Sequence, residues 1–274
     1  MKIAAVQLSS TDDVDHNLAT IDRLVGQCAA DGASLVSLPE NCVLMPRKPA
    51  DLVRCAEQLG THINESLADI ARRHQVFLLA GSVPQPSADA HRILATSGAY
   101  DQTGAVVGEY CKVHLFDVQV GPDEAYRESD YTSHGSQLTV VESPLGGIGL
   151  SICYDMRFPE MYRVLGQKDV ALLNIPSAFT VPTGHAHWEV LLRARAVENL
   201  CFVIAAAQVG VHPSGRETYG HSIIIDPWGV VLGCLPEGEG FVLADVDVAT
   251  MHNARKRFPA LTHRRIGDGG WIYD

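Results

Sequence analysis

Three side chains of different chemistry occupy comparable places in this sequence. Glu40 follows Leu38-Pro39, Lys112 precedes Val113-His114, and Cys153 precedes Tyr154-Asp155. Each comes directly after a short apolar run that reads as a strand, so each is expected at the rim of a sheet. A thiol can attack an acyl carbon if a base takes its proton and returns it to a leaving amine, and if positive charge meets the developing oxyanion. Burial can raise a glutamate toward neutrality and fit it for the base, and a lysine supplies the charge. The trio is chemically sufficient for acyl transfer from an amide. Taken singly, each residue has a blander reading: a buried structural cysteine, a solvated glutamate, a lysine snorkelling at a strand end. Their shared placement favours chemistry, because sites in open α/β sheets gather beyond the strand ends.

Cys153 carries the most local information. Ile148, Leu150 and Ile152 alternate with small residues, which is a strand period. Asp155 is placed to cap a helix, Pro159 suits a first helical turn, and Met161, Tyr162 and Leu165 keep helical spacing up to Gly166. A cysteine at such a corner lies near free backbone N–H groups and the positive end of a helix. Both favour thiolate over thiol and could hold an oxyanion.

The remaining elements must bring these three positions together. Residues 2–8 read as a first strand. Leu18, Ile21, Leu24, Val25 and Cys28 lie on one face of a helix closed by Gly32, and residues 33–38 form a second strand. Residues 46–59 read as irregular and then helical, with Ile63, Leu67, Ile70 and Ala71 on a further amphipathic helix. A third strand covers 76–80, and 81–90, with Pro84 and Pro86, reads as a loop. Strands 95–100 and 106–112 are joined by a hairpin turn at 101–104. Residues 118–135 show no period; a loop of that length inside a compact domain is usually functional or disordered, and Glu128 lies in it. Strands 138–141 and 148–152 form a hairpin, and 170–175 is nearly all apolar, as in a strand covered on both faces. The loop 176–183 leads into a helix bearing Trp188, Leu191, Leu192, Arg195 and Ala196. Strands at 202–206, 221–225, 230–232 and 241–246 follow, and then a basic surface arm over 255–265. Strands and helices alternate without a linker or repeat, which predicts one α/β domain over 1–274.

Composition narrows the function. The 274 residues are 46% hydrophobic and carry a formal charge of −11, which argues against nucleic acid as a partner. No apolar run reaches the length of a membrane span, and the N-terminus looks like a core strand instead of a signal peptide. Seven cysteines, scattered without C-x-x-C spacing, fit free thiols in a reducing cytoplasm and no zinc ribbon. His185 and His187 are two apart, on different faces of a helix, so they read as capping or packing residues and no metal is expected. Gly146-Gly-Ile-Gly149 lacks a third glycine and precedes a strand, which excludes a dinucleotide fingerprint.

Leu38-Pro-Glu40, Lys112-Val-His-Leu-Phe116 and Cys153-Tyr-Asp-Met-Arg-Phe-Pro-Glu160 together resemble the three signatures of the nitrilase, or carbon–nitrogen hydrolase, superfamily. The likeness continues through Pro176-Ser-Ala-Phe179, Gly184-His-Ala-His-Trp-Glu189, Tyr219-Gly-His-Ser222 and Asp226-Pro-Trp-Gly229, and so covers essentially the whole chain. Within the superfamily the sequence is most similar to the Nit branch, above all to its amidases of deaminated glutathione. The resemblance implies a four-layer α-β-β-α sandwich, a Glu40–Lys112–Cys153 triad, no cofactor, and a homodimer or larger homo-oligomer. It matches Glu128 to a second, supporting glutamate. It matches Arg157, Phe179 and Thr183 to residues that hold the keto-acid end of a substrate, with the Tyr154 N–H at the oxyanion. The implied reaction is hydrolysis of a small-molecule amide, deaminated glutathione first and 2-oxoglutaramate as the alternative. A catalytically silent binding subunit is the more distant reading, and it has no need of all three reactive types. The stretch Asn41-Cys-Val-Leu-Met-Pro46 departs from the usual branch pattern.

Overall fold

The computed structural model describes residues 1–122 and 124–265; residue 123 and residues 266–274, the end of the expected domain, lie outside the described residues. The chain begins with β1 (Lys2–Leu8), α1 (Val14–Ala30), β2 (Leu35–Ser37), α2 (Pro49–His74) and β3 (Phe77–Leu79). These strands pair in parallel in the order β1-β2-β3, so each helix is a crossover lying on one face of the sheet. Asp13 caps α1 by accepting the His16 N–H at 3.0 Å. An antiparallel meander of β4 (Val83–Pro86), β5 (Ile93–Tyr100) and β6 (Val106–Cys111) extends the sheet.

After a separate hairpin, β7 (Asp117–Gly121) and β8 (Glu124–Arg127), a second sheet is built from β9 (Val140–Ser143), β10 (Gly146–Leu150), β11 (Val170–Asn174) and β12 (Phe202–Ala205). Its crossovers are α3 (Pro159–Gly166) and α4 (Val181–Asn199). The chain then visits the first sheet with β13 (Ala207–Val211) and β14 (Glu217–Tyr219), and the second with β15 (Ser222–Ile225) and β16 (Val231–Leu235). It returns with β17 (Gly240–Asp245), antiparallel on β1, and ends in α5 (Val248–Arg257). These exchanges stitch the two sheets face to face.

The period-2 alternation of β1 shows how the layers bury themselves. Ala4 and Val6 pack with Ile21, Leu24, Ile63 and Leu67 of α1 and α2. Ile3 and Ala5 join the second core, which runs through Ile148, Leu172 and Val203 to Tyr162, Trp188 and Leu192 of α3 and α4. The layers are therefore helices, sheet, sheet, helices: the expected α-β-β-α sandwich.

Several local expectations are corrected. The segment read as irregular, then helical, then a separate helix is the single 26-residue α2, whose apolar face packs on the sheet along its whole length. Residues 83–86 are a strand despite two prolines, because β4 is an edge and its missing N–H groups cost no ladder bond there. The supposed loop 118–135 contains β7 and β8, and the β13–β14 hairpin was not anticipated. Thr183 stands in the first turn of α4, not on a loop. The basic arm begins inside α5, where Arg255 donates to Leu200 O at 3.0 Å and Val170 O at 2.7 Å and pairs with Asp169. Among the described residues no helix is long and apolar enough to cross a membrane.

Candidate active site

Glu40 lies just past β2. Leu38 N–H donates to Leu79 O at 2.9 Å, and the backbone then turns sharply beside Gly81. A Cβ on Gly81 would stand 1.9 Å from Pro39 O, and Gly81 has φ +56°, so only glycine admits this approach. Lys112 directly follows β6 and holds register through its N–H to Ala95 O at 2.9 Å. Gly135 lies so close that a Cβ would be 2.0 Å from Cys111 O, and its N–H donates to Lys112 O at 2.8 Å. Cys153 belongs to the second sheet, three residues beyond β10, with φ +47°. For a non-glycine residue that left-handed conformation costs about 1–2 kcal/mol. It is held by Cys153 N–H to Pro176 O at 2.9 Å and by a 3-10 turn over Cys153–Arg157.

The three meet at one end of the two facing sheets. Lys112 Nζ donates to Glu40 Oε1 at 2.7 Å and to both Glu128 oxygens at 3.0 Å. The Ala178 N–H donates to Glu40 Oε2 at 2.8 Å, and the Phe116 N–H to Glu128 Oε2 at 2.6 Å. The Cys153 thiol lies close enough to the Glu40 carboxylate for the two groups to bias each other's ionisation. Asp155 does not cap the helix after Cys153, whose N-cap is Phe158. Fully buried, it accepts from Tyr110 OH at 2.7 Å, Ile152 N–H at 2.8 Å and His114 N–H at 3.1 Å. It thereby ties the segment carrying Lys112 to the turn carrying Cys153.

Electrostatics revises the resting state. Burial pushes the Cys153 thiol far up, and the neighbouring Glu40 charge adds to this, so the thiolate expected of the corner gives way to a protonated thiol. Burial also pushes Glu40 up, but the Lys112 ammonium and the Arg216 guanidinium outweigh it and hold the carboxyl below its ordinary value. The expectation of a base raised toward neutrality is thus reversed. Glu128 stands raised, by burial and by Glu40, against the pull of Lys112. Burial disfavours the Lys112 charge, yet Glu128 and Glu40 together keep it firmly ionised. The site therefore pairs a neutral nucleophile with an ionised acceptor beside a fixed cation.

Glu40, Lys112, Glu128 and Cys153 line a cavity of about 400 Å³. Tyr154, Phe179 and Thr183 also line it; Thr183 Oγ1 and Thr180 Oγ1 are 2.7 Å apart. As the second residue of a 3-10 turn, Tyr154 has no acceptor for its N–H inside that turn. Arg157 does not line the cavity. Its guanidinium lies over the rings of Phe179 (5.3 Å) and Tyr154 (5.8 Å), both of which line the cavity, and contacts His187 Nδ1 at 3.3 Å. It pairs with neither Asp155 nor Glu160 among the described residues. Met45 and Pro46, from the stretch that departs from the branch pattern, form part of the wall. Sequence reasoning missed the Ala178 N–H, Tyr126 and Arg216. Among the described residues no cluster of three or more His, Cys, Asp or Glu side chains is arranged to hold a metal.

Comparisons with known proteins agree with this geometry. A family model described as carbon–nitrogen hydrolase matches residues 2–256. The chain is 40% identical over 264 residues to a deaminated glutathione amidase of Synechocystis sp., covering 95% of this chain and 97% of that one. It superposes on the crystal structure of the Caenorhabditis elegans NitFhit protein with TM-score 0.91 and 35% identity, covering 96% of this chain but 65% of that longer one. It also matches the amidase from Nesterenkonia sp. AN1, in a mutant with acrylamide added at its active-site cysteine. There the TM-score is 0.79 and the identity 28%, covering 94% of this chain and 98% of that one.

Proposed function

The chain belongs to the carbon–nitrogen hydrolase family and is a hydrolase of amide C–N bonds, and we propose that it hydrolyses deaminated glutathione to 2-oxoglutarate and cysteinylglycine through a Cys153 thioester. The observation that carries this reading is the Lys112 ammonium held between Glu40 and Glu128 at the floor of the cavity that Cys153 lines. Cys153 Sγ attacks the amide carbon while its proton passes to Glu40. The oxyanion is met by Lys112 and the Tyr154 N–H. Glu40 gives the proton to the departing amine, and the C–N bond breaks to leave the thioester. Water, deprotonated by Glu40, then attacks the thioester and releases the acid and the thiol. Glu128 holds Lys112 in place, and Phe179 and Thr183 wall the keto-acid end.

The substrate proposal is supported by the relatives' specificity and by cations at the cavity: Arg216, Arg47 and Lys48 line it together with Lys112. Steady-state kinetics on deaminated glutathione, 2-oxoglutaramate, N-carbamoyl amino acids and simple aliphatic amides should give the highest kcat/KM for deaminated glutathione. A higher value for 2-oxoglutaramate would make the chain an ω-amidase instead. No turnover of any of them would favour the silent binding subunit.

The proposal extends to assembly and location. Val190 and Val197 of α4 are 62% and 48% exposed, which supports burial of that helix against a second copy in a homodimer. Sedimentation at micromolar concentration should find the two-copy species; monomer alone would overturn it. Seven free cysteines support a reducing compartment, the cytoplasm.

A further inference from the structure

The proposed base stands on a turn, and one buried side chain holds that turn. Glu40 lies beyond Ser37, the end of β2, and Asn41 after it is left-handed at φ +55°. Carbonyls buried outside a strand ladder are costly unless a donor meets them. Gln208, on β13 and fully buried, supplies it. Its Nε2 donates to Ser10 Oγ at 2.7 Å, to Glu40 O at 3.0 Å and to Asn41 O at 3.3 Å. Ser10 Oγ in turn donates to Cys42 O at 2.9 Å, so the successive carbonyls of Glu40, Asn41 and Cys42 are all tied to one amide. The amide has a single workable orientation. Its Oε1 accepts the Ser10 N–H at 3.0 Å, and a flipped amide would set oxygen against carbonyls and NH2 against that N–H.

The main chain of Gln208 reaches the other side of the same carboxylate. Gln208 N–H donates to Ser177 O at 2.9 Å, and the next residue, Ala178, gives its N–H to Glu40 Oε2 at 2.8 Å. Gly220 N–H closes on Gln208 O at 3.0 Å, and Gln208 lies opposite Leu8 in the parallel register of β13 on β1. Gln208 thus fixes both the backbone from which Glu40 projects and the backbone that receives its carboxylate. Each of its polar atoms is engaged in this frame, and it does not line the cavity.

We propose that Gln208 is a positioning residue for the hydrolysis: it sets the Glu40 carboxylate between Lys112 and Cys153 without touching the substrate. This rests on the amidase reading above, in which Glu40 moves the proton. A displacement of about 1 Å in a reacting group can cost on the order of 100-fold in rate, so a rigid seat for the base has a large effect.

The test is Gln208→Met, which keeps the length of the side chain and loses its hydrogen bonds, assayed on deaminated glutathione. kcat should fall on the order of 10- to 100-fold with KM nearly unchanged, because only the proton transfers are misaligned. The acid limb of the pH profile should move up toward the ordinary carboxyl value, since a Glu40 held less closely by Lys112 loses what depresses it. In Glu40→Gln protein the same change should cost far less, because effects that act through one group are not additive. Equal factors in the two backgrounds, or an acid limb that does not move, would make Gln208 only a brace between β13 and β1 and overturn the proposal. Ser10→Ala covers the case in which the methionine variant does not fold. It removes one acceptor of the amide and the bond to Cys42 O but leaves Gln208 on Glu40 O. The same pattern should then appear at about three- to tenfold, the scale of ordinary neutral hydrogen bonds, and an equal cost with and without Glu40 would again refute the role. A readout free of turnover is the pH midpoint of Cys153 alkylation by iodoacetamide. The Glu40 charge helps to raise the Cys153 thiol, so a loosened carboxylate should shift that midpoint toward acid, and an unchanged midpoint contradicts the assignment. A shifted midpoint in a chain whose wild type hydrolyses no amide would uphold the hold of Gln208 on Glu40 and sink the amidase reading alone.

Discussion

Cys153→Ala is expected to lower amide hydrolysis on the order of 10⁴-fold or more, the scale of loss when a nucleophile is removed from a set of residues that act together. Only the thiol can carry the acyl group between the two half-reactions. The fold should survive, because alanine meets the same left-handed backbone at this corner that cysteine already tolerates. Thermal unfolding within about 1 kcal/mol of wild type would check this. Cys153→Ser should fail almost as completely. Glu40 is held below its ordinary value, so it is a weak base toward a hydroxyl, which is a poorer acid than even a buried thiol. Intact-protein mass spectrometry should trap an acyl adduct on wild type during turnover and none on the alanine variant. Hydrolysis by either variant within tenfold of wild type would remove Cys153 from the nucleophile's role.

The parts of this site that are legible in the sequence are those written as local signals. Glu40, Lys112 and Cys153 each follow an apolar strand, and a strand end is visible from periodicity alone. That the three converge is not, because Cys153 comes from a different sheet than the other two, and the face-to-face packing of the sheets depends on long-range core contacts and on the strand exchanges after residue 205. Likewise the core alternation of β1 is readable, while β13 and β14 are not: their short runs are rich in small and polar residues, and they are held by the pairing of β13 with β1 and of β14 with β13. Arg216 sits in that unread hairpin and so went unnoticed, whereas Arg157 drew attention through its nearness to Cys153 in sequence. A 3-10 turn over Cys153–Arg157 precedes the expected helix, which begins at Pro159, and it sets the Arg157 side chain over Phe179 and Tyr154, a packing that spacing alone does not reveal. The charge states were the hardest to foresee. Burial alone predicts a raised Glu40, and only the three-dimensional placing of Lys112 and Arg216 reverses it.

Glu40→Gln separates the base from the scaffold, because glutamine keeps the side chain's shape and can still accept from Lys112 or from the Ala178 N–H. Lys112 retains Glu128, so the cation should stay in place. What disappears is a group able to take and return a proton, and kcat/KM should fall on the order of 10²–10⁴-fold. A second readout should move the opposite way. Burial is the main reason the Cys153 thiol is raised, and Glu40's charge is the next, so the variant's thiol should ionise at lower pH than wild type while remaining above an ordinary cysteine. The pH midpoint of Cys153 alkylation by iodoacetamide should therefore shift toward acid even as hydrolysis collapses. The sign for the wild-type acid limb follows from the same charges. A carboxyl depressed in the folded protein stays ionised, and active as a base, until the pH falls below its ordinary 4.5, so the limb it sets should lie below that value and be absent from Glu40→Gln. A variant with near-normal kcat/KM and an intact acid limb would assign the proton transfer to another group, with Glu128 the nearest carboxylate across Lys112.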